Sequence, residues 1–204
     1  VGFNNFARKV RDTSLPHGHR YVSLRSCVQL YRPIGFHATV GYLEAKAGPF
    51  RRDETALLRA LEVIETSRAL WQADVRSYAA SRAEAKRLGM RTPRPADPNP
   101  LVPAYWYGAR REAALCALEH WRRGPGRGEY AYGDSERRFL DRLAAVGIET
   151  GGDLGADGRR ALAACVEALE EHLRKPVRGG DTLTRMRLRE LLFVARLLRS
   201  ADSG

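Results

Sequence analysis

A chain of 204 residues with 44% apolar and 8% aromatic residues can bury the core of one large or two small domains, which excludes a disordered chain. It carries 35 Lys and Arg against 24 Asp and Glu, a formal charge of +11, which predicts acidic partners such as nucleic acid, anionic lipid or an acidic protein. The longest apolar run, 188–198, is interrupted by Arg189, Glu190 and Arg196, so no transmembrane segment is expected.

In chain order, residues 1–16 read as a short helix or docking arm, with Phe3 and Phe6 near Arg8, Lys9 and Arg11. The stretch 20–32 has partial helical spacing at Val22, Cys27, Leu30 and Tyr31 and is ended by Pro33 and Gly35. A weaker helical pattern follows over 36–47, broken by Gly48 and Pro49. The organising element is 53–88, a single long amphipathic helix. Leu57, Leu61, Ile64, Trp71, Val75 and Tyr78 recur at helical spacing, Asp53 is placed to cap, and Gly89 stops the run. Residues 91–103 form a proline-rich linker of extended geometry. Helices are then predicted over 104–123, over 134–146 with Gly147 as the stop, over 157–175 and over 181–200.

No stretch alternates as a strand does. The expected fold is all-α, a helical bundle organised around the long helix. It divides into an N-terminal arm, short helices and long helix (1–90), the linker (91–103) and a C-terminal helical region (104–204), the last read as a three-helix half. The chain opens at Val1 with no methionine or signal peptide ahead of it, as a processed or trimmed chain would.

No catalytic constellation is evident. Cys27, Cys116 and Cys165 are odd in number and sit in apolar helical patterns, which argues against a disulfide framework or zinc knuckle. His17, His19 and His37 lie in turns without supporting carboxylates or thiolates. The loop 150–155 lacks Gly-Lys-Ser or Gly-Lys-Thr and carries Asp153, so it reads as a helix connection. Cys116 and His120 form an i, i+4 pair expected to pack in a core. Neither a metal nor a cofactor is expected. The informative features are the arginine pairs Arg51-Arg52 and Arg110-Arg111, which suit phosphate oxygens or a solvated surface, and Trp106 within the Tyr105-Trp106-Tyr107 triplet, which suits base stacking or a protein pocket. A helix-turn-helix over 20–47 would present Thr39, Tyr42, Glu44 and Lys46 to DNA, a poor base-reading set.

Leu30, Tyr31 and Arg32, with Val28 ahead of them, resemble the motif of LYR-motif proteins, small basic helical subunits and assembly factors of mitochondrial complexes. The resemblance implies an antiparallel helical bundle that docks an acidic acyl carrier protein through basic residues. Pro33 departs from the pattern, because family helices continue past the motif. The expected function is therefore a non-catalytic accessory or scaffold subunit of a large mitochondrial assembly, a respiratory complex first, bound to other subunits through Leu30, Tyr31, Arg32, Arg51, Arg52, Trp106, Arg110 and Arg111. The alternatives are an RNA-binding protein of an organellar ribosome and a bacterial cytoplasmic DNA-binding regulator.

Overall fold

The computed structural model describes residues 2–92, 100, 106–123, 134–174 and 182–202. Among them the chain is all-helical, with eight helices and no strand: α1 (Phe3–Arg11), α2 (His17–Leu30), α3 (Phe36–Ala47), α4 (Glu54–Arg87), α5 (Arg110–Arg123), α6 (Asp134–Glu149), α7 (Gly155–Arg174) and α8 (Thr182–Asp202). None of these helices is long and apolar enough to cross a membrane. The chain divides into two compact units, residues 1–36 with 43–109 and residues 37–42 with 110–204, so the division runs through α3. Most of the expected linker, 93–99 and 101–103, lies outside the described residues.

In unit 1, α1 is an amphipathic helix whose Phe3, Ala7 and Val10 are buried, so the expected docking arm is part of the core. It lies against α2 and α4. The long helix forms as its sequence predicts: the Asp53 carboxylate accepts a 2.9 Å hydrogen bond from the Ala56 amide, Glu54 stands in the first turn, and Lys86 and Arg87 stand in the last. Gly89, at φ +83, turns the chain out of it, with the Met90 amide returning to the Ala85 carbonyl at 2.8 Å. Its buried side chains are Ala56, Leu57, Ala60, Leu61, Ile64 and Ser67.

Arg20 ties three helices of this unit together. It is only 2% exposed, donates from Nε to the Val10 carbonyl at 2.7 Å, and pairs through Nη1 with Glu54 at 2.7 Å. One polar side chain thus joins the end of α1 and the start of α4 to α2.

Unit 2 contains four helices, not three, beyond its α3 segment. Helix α8 is central, with Leu191, Leu192, Val194, Ala195, Leu197 and Leu198 buried against α5, α6 and α7. The facing core includes Ala114, Leu118, Leu140, Ala144, Leu162, Val166 and Leu169.

Several sequence expectations need correction. Helix α2 runs from His17 to Leu30 and not over 20–32, because Pro16 serves as its N-cap residue instead of keeping the helix away. Its inward face is Arg20, Ser23, Leu24, Cys27 and Val28, whereas Val22 and Leu30 are 58% and 52% exposed. Helix α6 continues to Glu149. Gly147 lies inside the helix beside Leu154 and Leu198, which a Cβ there would meet at ordinary contact distances of 3.4 and 3.7 Å. Residues 106–109 are not helical, so the helix expected from 104 begins at Arg110. Helix α7 starts two residues early, at Gly155, whose amide donates to the Asp153 carboxylate at 2.9 Å.

Candidate partner-binding site

Leu30, Tyr31 and Arg32 are divided by the end of α2. Leu30 is the last helical residue and exposed, Tyr31 is the C-cap residue and buried, and Arg32 is exposed with its guanidinium 3.2 Å from Gln29 Oε1. Tyr31 packs its ring 5.5 Å from Trp71 and 5.9 Å from Trp106, centroid to centroid. Its hydroxyl shares a hydrogen bond with Ser67 Oγ, which also accepts from the Tyr107 amide at 3.1 Å. Trp106 is 2% exposed. Both Tyr31 and Trp106 therefore belong to an aromatic cluster inside unit 1, reached by a polar Ser67 on α4.

Arg110 and Arg111 stand in unit 2. Arg111 donates from Nε to the Gly151 carbonyl at 2.5 Å and so pins the turn after α6. That turn needs glycine at Gly152, where φ is +111 and a Cβ would lie 2.3 Å from the Ala201 carbonyl oxygen.

Arg51 and Arg52 are exposed in the turn before α4. The Arg51 guanidinium lies 5.6 Å from the Tyr21 ring centroid, and the Arg25 guanidinium lies 6.0 Å from the same ring and 5.5 Å from Phe36. Tyr21 and Arg25 stand at i, i+4 on α2, the spacing that brings this guanidinium over the ring.

The second surface is the distal half of α4. Past Ser67 no side chain of this helix is fully buried; Trp71, Val75 and Tyr78 are half-buried. Trp71 donates to the Pro100 carbonyl at 2.6 Å and Tyr107 donates to Asp74 at 3.0 Å, which anchors the returning chain near the middle of the helix. Leu70, Leu88 and Met90 are exposed.

Burial pushes the Cys27 thiol up to about 12 and raises those of Cys116 and Cys165, the opposite of an activated nucleophile. His37 stacks on His120 at 6.0 Å in unit 2, whereas His17 and His19 begin α2 in unit 1. No group of three or more His, Cys, Asp or Glu side chains could hold a metal ion among the described residues. Of the residues a helix-turn-helix would aim at DNA, Thr39 and Tyr42 are buried, leaving Glu44 and Lys46 exposed.

Protein-family models, curated proteins and solved structures were each compared with the chain, and none gives a significant match.

Proposed function

We propose that this chain is a non-catalytic accessory subunit of a large assembly, held in place by protein contacts along the distal half of α4. One observation carries the reading: the apolar stripe of α4 continues through Trp71, Val75 and Tyr78, but its last fully buried side chain is Ser67. About 30 Å of helix follows Ser67, at 1.5 Å per residue. Leu70 on the flank of the helix, and Leu88 and Met90 at its end, are also exposed. A helix of this length is stabilised mainly by packing of its apolar face, so a partner along the distal half supplies what unit 1 does not.

A mitochondrial respiratory complex is the setting supported by the resemblance of Leu30, Tyr31 and Arg32 to the LYR motif, with an acyl carrier protein among the partners. Engagement of Tyr31 inside unit 1 leaves Leu30 and Arg32 as the side chains available for that contact. The second reading is a ribonucleoprotein such as an organellar ribosome, favoured by the arginines gathered around Tyr21.

Gentle isolation of the tagged chain from its source, followed by native mass spectrometry with ultraviolet absorbance, tests both readings. Stoichiometric protein partners without nucleic acid support the first. Co-purifying RNA supports the second, and a monomer that turns over a substrate contradicts both.

A further inference from the structure

We infer that the surface formed by Tyr21, Arg25, Arg51 and Arg52 binds the phosphodiester backbone of RNA without reading its sequence. The inference deepens the ribonucleoprotein reading and rests on it for its biological setting.

The Tyr21 ring gathers two guanidinium groups, those of Arg25 and Arg51, within 6.0 Å of its centroid, and leans in turn on the buried Phe50 at 6.2 Å. A guanidinium held against an aromatic ring keeps its N–H edge free for oxygen acceptors and loses little further freedom on binding. Phe36 braces Arg25 from a second direction. Arg52 adds a third cation beside Arg51.

The carboxylates nearest in the chain are already engaged. Asp53 accepts the capping bond from the Ala56 amide, and Glu54 accepts from the buried Arg20. Among the described residues Arg25, Arg51 and Arg52 have no carboxylate partner, whereas Arg11 and Arg87 of the same unit are paired with Glu65 and Glu84. Like charges brought together over one ring repel, and an anion between them removes that cost. The long-range field has the same sign: residues 1–36 and 43–109 hold 17 Lys and Arg against 9 Asp and Glu.

Phosphate fits this surface better than the other acidic ligands. A bilayer contact needs several aliphatic side chains on one face. Val22 is one turn from Arg25, whereas Leu30 lies about 140° around α2 from Arg25 at 100° per residue, so of the two exposed aliphatic side chains of α2 only Val22 borders the arginine. A protein interface needs apolar anchors at its centre, and among the described residues α2 exposes only Val22 within a turn of Arg25. Base reading in a DNA groove would need Thr39 and Tyr42, which are buried. Backbone contact by bidentate arginine needs none of these.

The test is fluorescence anisotropy of the full chain with a short labelled single-stranded RNA of mixed sequence, titrated at several salt concentrations. Binding should weaken steeply with salt. Arg51→Glu/Arg52→Glu should lower affinity about tenfold or more and reduce the salt slope by about two. Arg142→Glu/Arg189→Glu, the same charge change on exposed residues of unit 2, should stay within about twofold. Tyr21→Leu, which keeps every charge but releases the guanidinium groups, should weaken binding while far-UV circular dichroism stays native. Absence of RNA binding at low salt, or equal loss in both charge-reversal pairs, overturns the inference. So does displacement of the RNA by polyglutamate, duplex DNA or anionic vesicles as readily as by unlabelled RNA. Salt-sensitive binding that depends on Arg51 and Arg52, in a chain that co-purifies without RNA, upholds the site and removes only the ribonucleoprotein setting.

Discussion

The hydroxyls of Tyr31 and Ser67, 36 positions apart in the chain, lie 3.0 Å from each other in the buried interior of unit 1. That bond joins the end of α2 to the middle of α4 and fixes where the buried stripe of α4 ends. Tyr31→Phe removes one buried hydrogen bond and should cost about 1 kcal/mol in urea denaturation, while Tyr31→Ala, which also empties the space between Trp71 and Trp106, should cost about 3–5 kcal/mol. Partner capture by the Phe variant should match the parent. Selective loss of a partner with no loss of stability would mean that Tyr31 is a contact residue after all.

Arg20 should behave as a structural tie between α1, α2 and α4. Arg20→Met keeps the aliphatic stem but leaves the buried Val10 carbonyl without its donor, and should destabilise unit 1 by about 1–3 kcal/mol. The Glu54 side chain is 55% exposed, so solvent screens the ion pair and most of the loss should come from the carbonyl bond. Arg20→Lys should recover little, because an ammonium cannot serve Val10 and Glu54 in the same fork geometry. Full recovery by lysine in a chemical denaturation series would refute that account.

Alkaline pH should weaken the fold through its buried acids. Cys27 stays neutral in the folded chain until about pH 12, mainly because burial disfavours the thiolate, with Glu65 adding to the effect. Tyr42 is likewise raised to about 12 by burial, with Glu112 and Cys116 contributing. An unfolded thiol loses its proton near pH 8.5 and an unfolded phenol near 10. Below those values the protonation state is the same folded or unfolded, so stability is fully present. It should fall as pH rises through the window up to about 12, where the unfolded chain binds fewer protons than the folded one. Thermal melts from neutral to strongly alkaline pH should show this, and Cys27→Ala should flatten part of the decline despite its lower stability at neutral pH. Slow iodoacetamide labelling of Cys27 in the native chain is the matching kinetic observation.

The long helix was the most legible element, because Asp53, the early apolar stripe and Gly89 state its start, face and end in local chemistry. Three other features were hidden by tertiary partners. Arg20 faces inward on α2 because the Val10 carbonyl of α1 is within reach, so hydropathy placed Cys27 and Tyr31 correctly but chose Val22 and Leu30 over Arg20. Gly147 looks like a helix stop, yet α6 continues through it to Glu149, with Leu154 and Leu198 packed beside it. Trp106 sits in a non-helical approach to α5, and its burial depends on Tyr31 and the long helix, far away in sequence. Of the candidate partner residues, Arg51 and Arg52 are exposed as their sequence position suggested. What that position could not reveal was Tyr21 bringing Arg25 beside them.

The central claim is that the distal half of α4 holds this chain in its assembly. The most direct measurement compares partner capture by the parent chain and by Val75→Glu/Tyr78→Glu, both expressed in the native source and isolated by the same tag. These side chains share one helix face and are half-buried, so the variant should keep native circular dichroism and lose about 1 kcal/mol or less. The account predicts that the assembly no longer co-purifies with the variant while the isolated chain remains folded. Undiminished recovery of the same partners would contradict it.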